Sequence, residues 1–327
     1  MSATESTHAA RHPSPGVAGR VRLAITLGDP RGIGPEIVGK ALAADDVRGQ
    51  VEARIVGPTG AALPVTDAVG EWRAGGAAAL AGRLSGLAIE RAVELARSGE
   101  VQGIVTAPID KAALHAGGYP FPGHTEMLEA LTGAPATMML ASDRLRVVLA
   151  TTHLALRDVP DAVTGAAIRR AAEVTRDYLR RWFGIAEPRI ALCALNPHAG
   201  DGGRFGREDD EVLAPAARAA GLEGPFPADT VFVRAMRGGF DAVIAPYHDV
   251  GMTAIKVASF GSAVNVTLGL PFPRTSPDHG TALDIAGQGV ADASSMVAAI
   301  LLCARIAHEQ GALAARAGAR RFLTAPD

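Results

Sequence analysis

Along the chain, short and continuously apolar runs alternate with longer amphipathic stretches. Runs at Val21–Leu27, Val51–Val56, Val101–Thr106, Leu145–Thr152, Arg189–Leu195, Asp241–Ala245 and Ala263–Leu268 read as strands. They do not alternate apolar with polar, which predicts strands covered on both faces. Gly76–Arg97, Thr164–Phe183, Arg207–Ala220 and Asp292–Gln310 read as helices. In Thr164–Phe183, Ala167, Ala171, Val174, Tyr178 and Trp182 form one stripe, with Arg169, Arg170, Glu173, Arg176 and Arg180 turned away. Strand–helix alternation predicts an α/β fold with a largely parallel sheet. A length of 327 residues suits about two domains. Pro-rich joints at Tyr119–Pro122 and Pro271–Pro277 are the candidate crossings between them. Residues 1–20 carry charges and prolines but no apolar core, so they read as a flexible tail and not a secretory signal.

Composition narrows the function classes. A net charge of −2 and 4% aromatic residues argue against nucleic acid or an anionic membrane surface as partners. The longest clean apolar run, Met296–Ala304, is shorter than a membrane span requires. Cys193 and Cys303 lie in apolar runs and read as buried thiols of a cytoplasmic protein. Of 32 basic residues only Lys40, Lys111 and Lys256 are lysines. Lysine can lose its proton when buried and arginine cannot, so a retained lysine is worth weighing. Lys40 reads as a solvated helix residue, and Lys111 reads either that way or as a site residue.

Ligands of α/β folds bind on the loops after strands. The segment Gly28–Glu36 after the first run is either a tight turn or an anion site at a helix start. It is neither a G-x-G-x-x-G nor a Walker A loop. His153, His198 and His248 each follow the end of a different run. Any one could be a satisfied polar residue; three placed alike suggest a divalent-metal site assembled by the fold. Lys256 follows His248 by eight residues, and Lys111 follows Asp110. Asn265 inside an apolar run needs a hydrogen-bond partner, which is either backbone or a substrate. Arg274, between Pro273 and Thr275, reads as a stiff-loop residue suited to phosphate or carboxylate.

Eight ordered motifs then point to a known family. They are GDPRGIGPE (28–36), TAPIDKAAL (106–114), GHTEML (123–128), TTHLALRDV (151–159), NPHAGDGGRFGRED (196–209), GPFPADTVF (224–232), APYHDVGM (245–252) and SPDHGTALDIAG (276–287). From about Leu23 to about Ala307 the chain resembles the 4-hydroxythreonine-4-phosphate dehydrogenase family of pyridoxal phosphate biosynthesis, with its paralogues acting on four-carbon sugar-acid phosphates. The resemblance implies a two-domain α/β/α fold like that of isopropylmalate and isocitrate dehydrogenases, with the active site in the interdomain cleft. The domains would be 21–122 plus 258–327 on the cofactor side, and 123–257 carrying the metal site and a dimer interface. It implies His153, His198 and His248 as ligands of zinc, cobalt or magnesium. It also implies substrate contacts at His124, Thr125, Lys256, Asn265 and Arg274, and NAD or NADP contacts at His279, Gly280 and Asp284. The family forms homodimers with the active site at the subunit interface.

The reaction so implied is oxidation of 4-phosphohydroxy-L-threonine, followed by decarboxylation to 3-amino-2-oxopropyl phosphate. D-threonate or D-erythronate 4-phosphate is the alternative substrate, and a phosphate acyltransferase of related fold is the remote one. Lys256 is expected to take the alcohol proton, its pKa depressed by burial and a metal, or else to contact an anion. Arg31 stands where the family often has a small residue, with its side chain next to the cleft and its effect on cofactor or substrate preference left open. The residues after GHTE, 127–133, look more like the sugar-acid branch.

Overall fold

The computed structural model describes residues 19–259 and 262–323. The expected tail, 1–20, lies almost wholly outside the described residues. In chain order the elements are β1 (Val21–Thr26), α1 (Gly34–Ala43), α2 (Asp45–Gln50), β2 (Val51–Thr59), β3 (Asp67–Glu71), α3 (Ala78–Arg97), β4 (Gly103–Thr106), α4 (Lys111–Ala116) and α5 (His124–Thr132). Then come β5 (Thr137–Ala141), β6 (Arg146–Leu149), α6 (Val159–Ala162), α7 (Gly165–Phe183), β7 (Ile190–Cys193), α8 (Ala214–Ala220), β8 (Glu223–Phe226) and α9 (Ala228–Met236). The last are β9 (Ala242–Ala245), α10 (His248–Ser259), β10 (Val264–Leu268), β11 (Arg274–Pro277) and α11 (Ser294–Leu323). The expected helix Arg207–Ala220 is divided: a π turn at Asp209–Leu213 leads into α8.

All strands join one 11-stranded sheet in the order β3-β2-β1-β4-β11-β10-β5-β6-β9-β7-β8. Its flanks are parallel, as expected, but its centre is not. β10 runs antiparallel to both β11 and β5, and β5 is antiparallel to β6. The connections explain this. Only a few residues separate β5 from β6 and β10 from β11, too few for the crossover that a parallel pair needs. The second candidate crossing is corrected with it: Pro271–Pro277 leads from β10 into β11 and does not cross the sheet. β1–β4, β10 and β11 form one contiguous run of the sheet, and β5–β9 the other. The reversal also turns the carboxyl ends of β6, β7 and β9 away from those of β1 and β4.

Helix α7 shows how closely local sequence sets an element. Thr164 caps it by accepting the Ala167 N–H at 3.2 Å, and Gly184 ends it in the left-handed region. Its apolar stripe is buried except for Val174, which is half-buried, with Tyr178 and Trp182 edge to face at 4.3 Å between ring centres. Helix α11 contains a segment, Ser294–Leu313, that by length and composition could cross a membrane. It extends beyond the run the sequence suggested. Met296, Ala299, Ile300, Cys303 and Ile306 are fully buried, with Cys303 against the carbonyls of Ile104 and Pro273, so α11 is a core helix. Both cysteines are buried free thiols, and burial pushes each up to about 12, outside the reactive range.

Candidate active site

Helix α10 links the two ends of the sheet. It starts at His248, just beyond β9, and runs back to bring Lys256 to Asp278, just beyond β11. Gly251 permits its close approach. A Cβ there would lie 2.7–2.9 Å from the side chains of Leu149, Ala245 and Val147. His248 thereby meets His153 from the turn after β6, with ring centres 5.6 Å apart. His248 Nδ1 shares a 2.6 Å hydrogen bond with Asp249 Oδ1, which leaves Nε2 to face a ligand. The cavity beside the pair is lined by Thr152, Leu154, Leu156, Val159 and Tyr247 as well.

His198 is held elsewhere. It sits in a turn where His198, Ala199 and Asp201 all have left-handed backbone, with φ of 53°, 55° and 46°. Such residues persist only where the surroundings enforce them. Here the anchor is Asp209, fully buried, which accepts the N–H groups of Leu195 at 2.8 Å and Asn196 at 2.9 Å. The Asn196 side chain donates to Glu208 at 2.8 Å. The His198 ring neighbours Phe205, with 6.3 Å between ring centres. Among the described residues, no three His, Cys, Asp or Glu side chains stand together as a metal site. The structure thus unites His153 and His248 and leaves the third expected ligand apart. Two imidazoles with an orienting carboxylate suit a divalent cation as a partial ligand set. Replacing Asp209 by alanine strands two backbone donors, at about 1–3 kcal/mol each. A loss of roughly 2–6 kcal/mol in denaturant unfolding is expected; a change under 1 kcal/mol would mean that the turn does not depend on Asp209.

The substrate residues expected from the sequence gather around Arg274. Arg274 is not on a loop: it opens the central strand β11 and is only 1% exposed. Its guanidinium donates to Thr267 Oγ1 at 2.9 Å and Thr106 Oγ1 at 2.6 Å, its Nε is unpartnered, and no carboxylate among the described residues pairs with it. Burial lowers its pKa to about 10. His124 opens α5 behind Gly123, and its Nε2 is buried without a partner. Burial, reinforced by the charges of Arg274 and Lys111, holds His124 well below the usual imidazole range, so it is neutral at pH 7. Thr125 follows, half-buried. Asn265 on β10 has a buried, unpartnered Oδ1, while its Nδ2 rests 3.6 Å from Met138 Sδ. No backbone contact satisfies it. Buried polar groups left open around an unpaired guanidinium make a receptor for an anion.

Lys256 departs from expectation. It is exposed and not buried as expected, with Nζ 3.3 Å from Asp278 Oδ2. Burial raises the pKa of Asp278 against the pull of Lys256, His279 and His248. A cavity of about 310 Å³ lies here, lined by Lys256, Ser259, Asp278, His279, Asp292, Ser294 and Ser295. His279, Gly280 and Asp284 are exposed on the loop that follows. That loop docks on the glycine segment, where Ile33 N–H donates to Thr281 O at 2.9 Å. Within the segment, Gly28 is left-handed at φ 67°, and a Cβ there would lie 2.2 Å from Pro108 O. Its N–H groups serve the protein: Asp29 donates to Pro108 O, Gly32 to Asp29 O, and Arg31 to Asp29 Oδ1. The tight-turn reading therefore holds, and these three donors are not free for an anion. Arg31 pairs with Asp29 at 2.6 Å and faces Asp110 at 3.5 Å, so it ties two loops together.

The sequence profile described as pyridoxal phosphate biosynthetic protein PdxA matches residues 35–303. The chain belongs to the PdxA family. A 4-hydroxythreonine-4-phosphate dehydrogenase of Caulobacter vibrioides is 43% identical over 327 residues, covering 88% of this chain and 98% of its own. A D-threonate 4-phosphate dehydrogenase of Cupriavidus necator is 42% identical over 323 residues, covering 87% and 97%. The crystal structure of a 4-hydroxythreonine-4-phosphate dehydrogenase from Klebsiella pneumoniae superposes with a TM-score of 0.80 at 38% identity, covering 89% of this chain and 99% of that one. This PdxA-family chain is a dehydrogenase of the kind those relatives are named for. Sequence reasoning gave Thr106, Thr267, Asp209 and Asp278 no role in the site. Thr106 and Thr267 are the polar residues near the ends of two apolar runs, and Asp209 and Asp278 lie within the motifs at 196–209 and 276–287.

Proposed function

We propose that this dehydrogenase oxidises the secondary alcohol β to the carboxylate of a phosphorylated four-carbon acid. Hydride passes to NAD⁺ or NADP⁺, a proton is released, and the resulting β-keto acid loses CO₂. The observation that carries this reading is Arg274, buried beside His124 with no protein carboxylate to neutralise it. A doubly charged phosphate ester is the complement of such a pocket. Thr125 and Asn265 add hydrogen bonds that orient the substrate. Lys256, beside Asp278, takes the alcohol proton or steadies the carboxylate. His279, Gly280 and Asp284 contact the nicotinamide cofactor along the loop that docks on the glycine segment.

His153 and His248 would hold a divalent cation (zinc, cobalt or magnesium), with Asp249 orienting His248. When bound, such an ion supplies Lewis acidity at the reacting carbon's oxygen. We read the third imidazole as that of His198 in a second copy of the chain, so that a homodimer completes the site at its interface. Supporting this, apolar side chains border these histidines in the open: Leu154, Leu156 and Phe205 are 46%, 69% and 47% exposed. We assign a cofactor-side domain to 21–122 with 258–327 and a metal-side domain to 123–257; the grouping of β1–β4, β10 and β11 against β5–β9 supports a division of this kind. The setting is cytoplasmic, without membrane or nucleic-acid partners. A phosphate acyltransferase of related fold would leave the histidine pair without a task.

The amino-acid substrate is 4-phosphohydroxy-L-threonine, giving 3-amino-2-oxopropyl phosphate. The second reading is D-threonate or D-erythronate 4-phosphate, favoured by near-equal identity to relatives of both names. The test is NAD⁺ reduction by metal-reconstituted protein with each substrate in turn. A kcat/KM preference of tenfold or more for one of them is expected, and assigns the branch. No turnover with any of them, with metal bound, would overturn the reading.

A further inference from the structure

Two of the three lysines have partners within the protein. Lys40 Nζ donates to Glu36 Oε1 at 2.8 Å, Gly289 O at 2.8 Å and Ala291 O at 2.7 Å. Lys256 pairs with Asp278. Lys111 makes neither an ion pair nor a side-chain hydrogen bond among the described residues. Yet its backbone is firmly placed. It is the first residue of α4, whose start is fixed by Asp110 accepting the Ala113 N–H at 2.8 Å. Arg31 faces that same Asp110 at 3.5 Å. From there the lysine stem reaches Gly123: a Cβ built on Gly123 would lie 3.7 Å from Lys111 Cε. The end of the stem is therefore next to His124, while the residue as a whole remains exposed.

We propose that Lys111 is a further substrate-binding residue, the mobile cation that closes over the substrate's phosphate beside Arg274 and His124. The charge count favours it. Arg274 is the pocket's one buried cation, and His124 is neutral there in the empty protein. A phosphate monoester carries between one and two negative charges near pH 7. One guanidinium leaves part of that charge uncompensated. A compact ammonium on a flexible stem supplies the remainder and releases it with product, which a planar guanidinium fork does less readily. The neighbouring acid is Glu126, whose Oε2 would lie 3.5 Å from the same point on Gly123 but does not pair with Lys111. The helix start at His124 has no side-chain cap, so its first N–H groups are not taken up by a capping side chain.

The inference rests on reading the Arg274 pocket as the phosphate site, and its test needs no turnover. Inorganic phosphate is titrated calorimetrically into the wild type and into Lys111→Ala, Lys111→Arg and Arg274→Met, each alone. Lys111→Ala is expected to bind phosphate about tenfold or more weakly, Lys111→Arg to recover most of that loss, and both to melt as the wild type does without phosphate. With turnover substrate, KM should rise by a larger factor than kcat falls in Lys111→Ala. Equal phosphate affinity in Lys111→Ala and wild type, with Arg274→Met impaired, would overturn the role of Lys111 and leave the pocket standing. No phosphate binding by the wild type would overturn both. Silence in the substrate assays with phosphate binding intact would instead count against the proposed reaction.

Discussion

Replacing Arg274 by methionine will abolish substrate capture while leaving the ligand-free protein about as stable as before. The two halves of this result have separate causes. On binding, an unpaired buried guanidinium meets a doubly charged group, and losing such a contact costs about 3–4 kcal/mol, or roughly 10²–10³-fold in KM. In the empty protein the same guanidinium is a liability. It sits in the core with two threonine hydroxyls and no counter-ion, a burial that costs several kcal/mol. Methionine removes that cost and loses two charge-assisted hydrogen bonds, at about 1.5–3 kcal/mol each. The difference is expected to stay within about 2 kcal/mol. Thermal melts with and without phosphate check both halves, since the phosphate-dependent rise in Tm should vanish. A variant that melts far below the wild type would make Arg274 chiefly a tie between β4, β10 and β11. An unchanged KM would remove it from the site.

Chains carrying His153→Ala and chains carrying His198→Ala will each be inactive, and each will bind little metal. Co-expressed, they will recover about a quarter of wild-type activity and metal content. Under random pairing half the dimers are mixed. In a mixed dimer one site collects both lesions and the other has none. The expectation follows from the geometry of one chain: His153 and His248 are neighbours, and His198 is turned toward Phe205 on a left-handed turn anchored by Asp209. Small rotamer changes do not move such a turn. Mixed dimers purified with two different tags and found inactive, though folded, would exclude a site shared between subunits.

Much of the fold could be read from residue pattern, and the exceptions are instructive. All seven expected strands exist, because a strand covered on both faces must be apolar throughout. The four strands not anticipated are β3, β5, β8 and β11. β3 and β8 are the two outermost strands, where one side faces solvent and residues such as Glu71 and Glu223 are tolerated. β11 is the reverse case. Arg-Thr-Ser-Pro is wholly buried, but Arg274 and Thr275 find hydrogen-bond partners in Thr106, Thr267 and the Ala299 carbonyl from distant parts of the chain, with Arg274 Nε left open. No local pattern discloses such partners. The site followed the same rule. Residue types identified the histidines, Asn265 and Arg274 as unusual for their surroundings. What the pattern lacked was direction: a reversed sheet centre, and a helix leading from His248 back to Asp278.

The position of β10 and β11 has a consequence for how the chain is made. These strands are synthesised after β9, yet in the finished sheet they lie between β4 and β5. A nascent chain that has emerged only as far as Ser259 holds two incomplete half-sheets, one ending at β4 and the other at β5. Both inner edges then show unpaired backbone groups flanked by Ile104, Val105, Met139 and Leu140, all buried in the finished protein. Open apolar edges of this kind pair readily with one another and with neighbouring chains. The segment from Val264 onward inserts between them and α11 covers the seam, so translation must near its end before either half-sheet is protected. A chain released early is therefore a substrate for chaperones and proteases, and not a smaller stable domain.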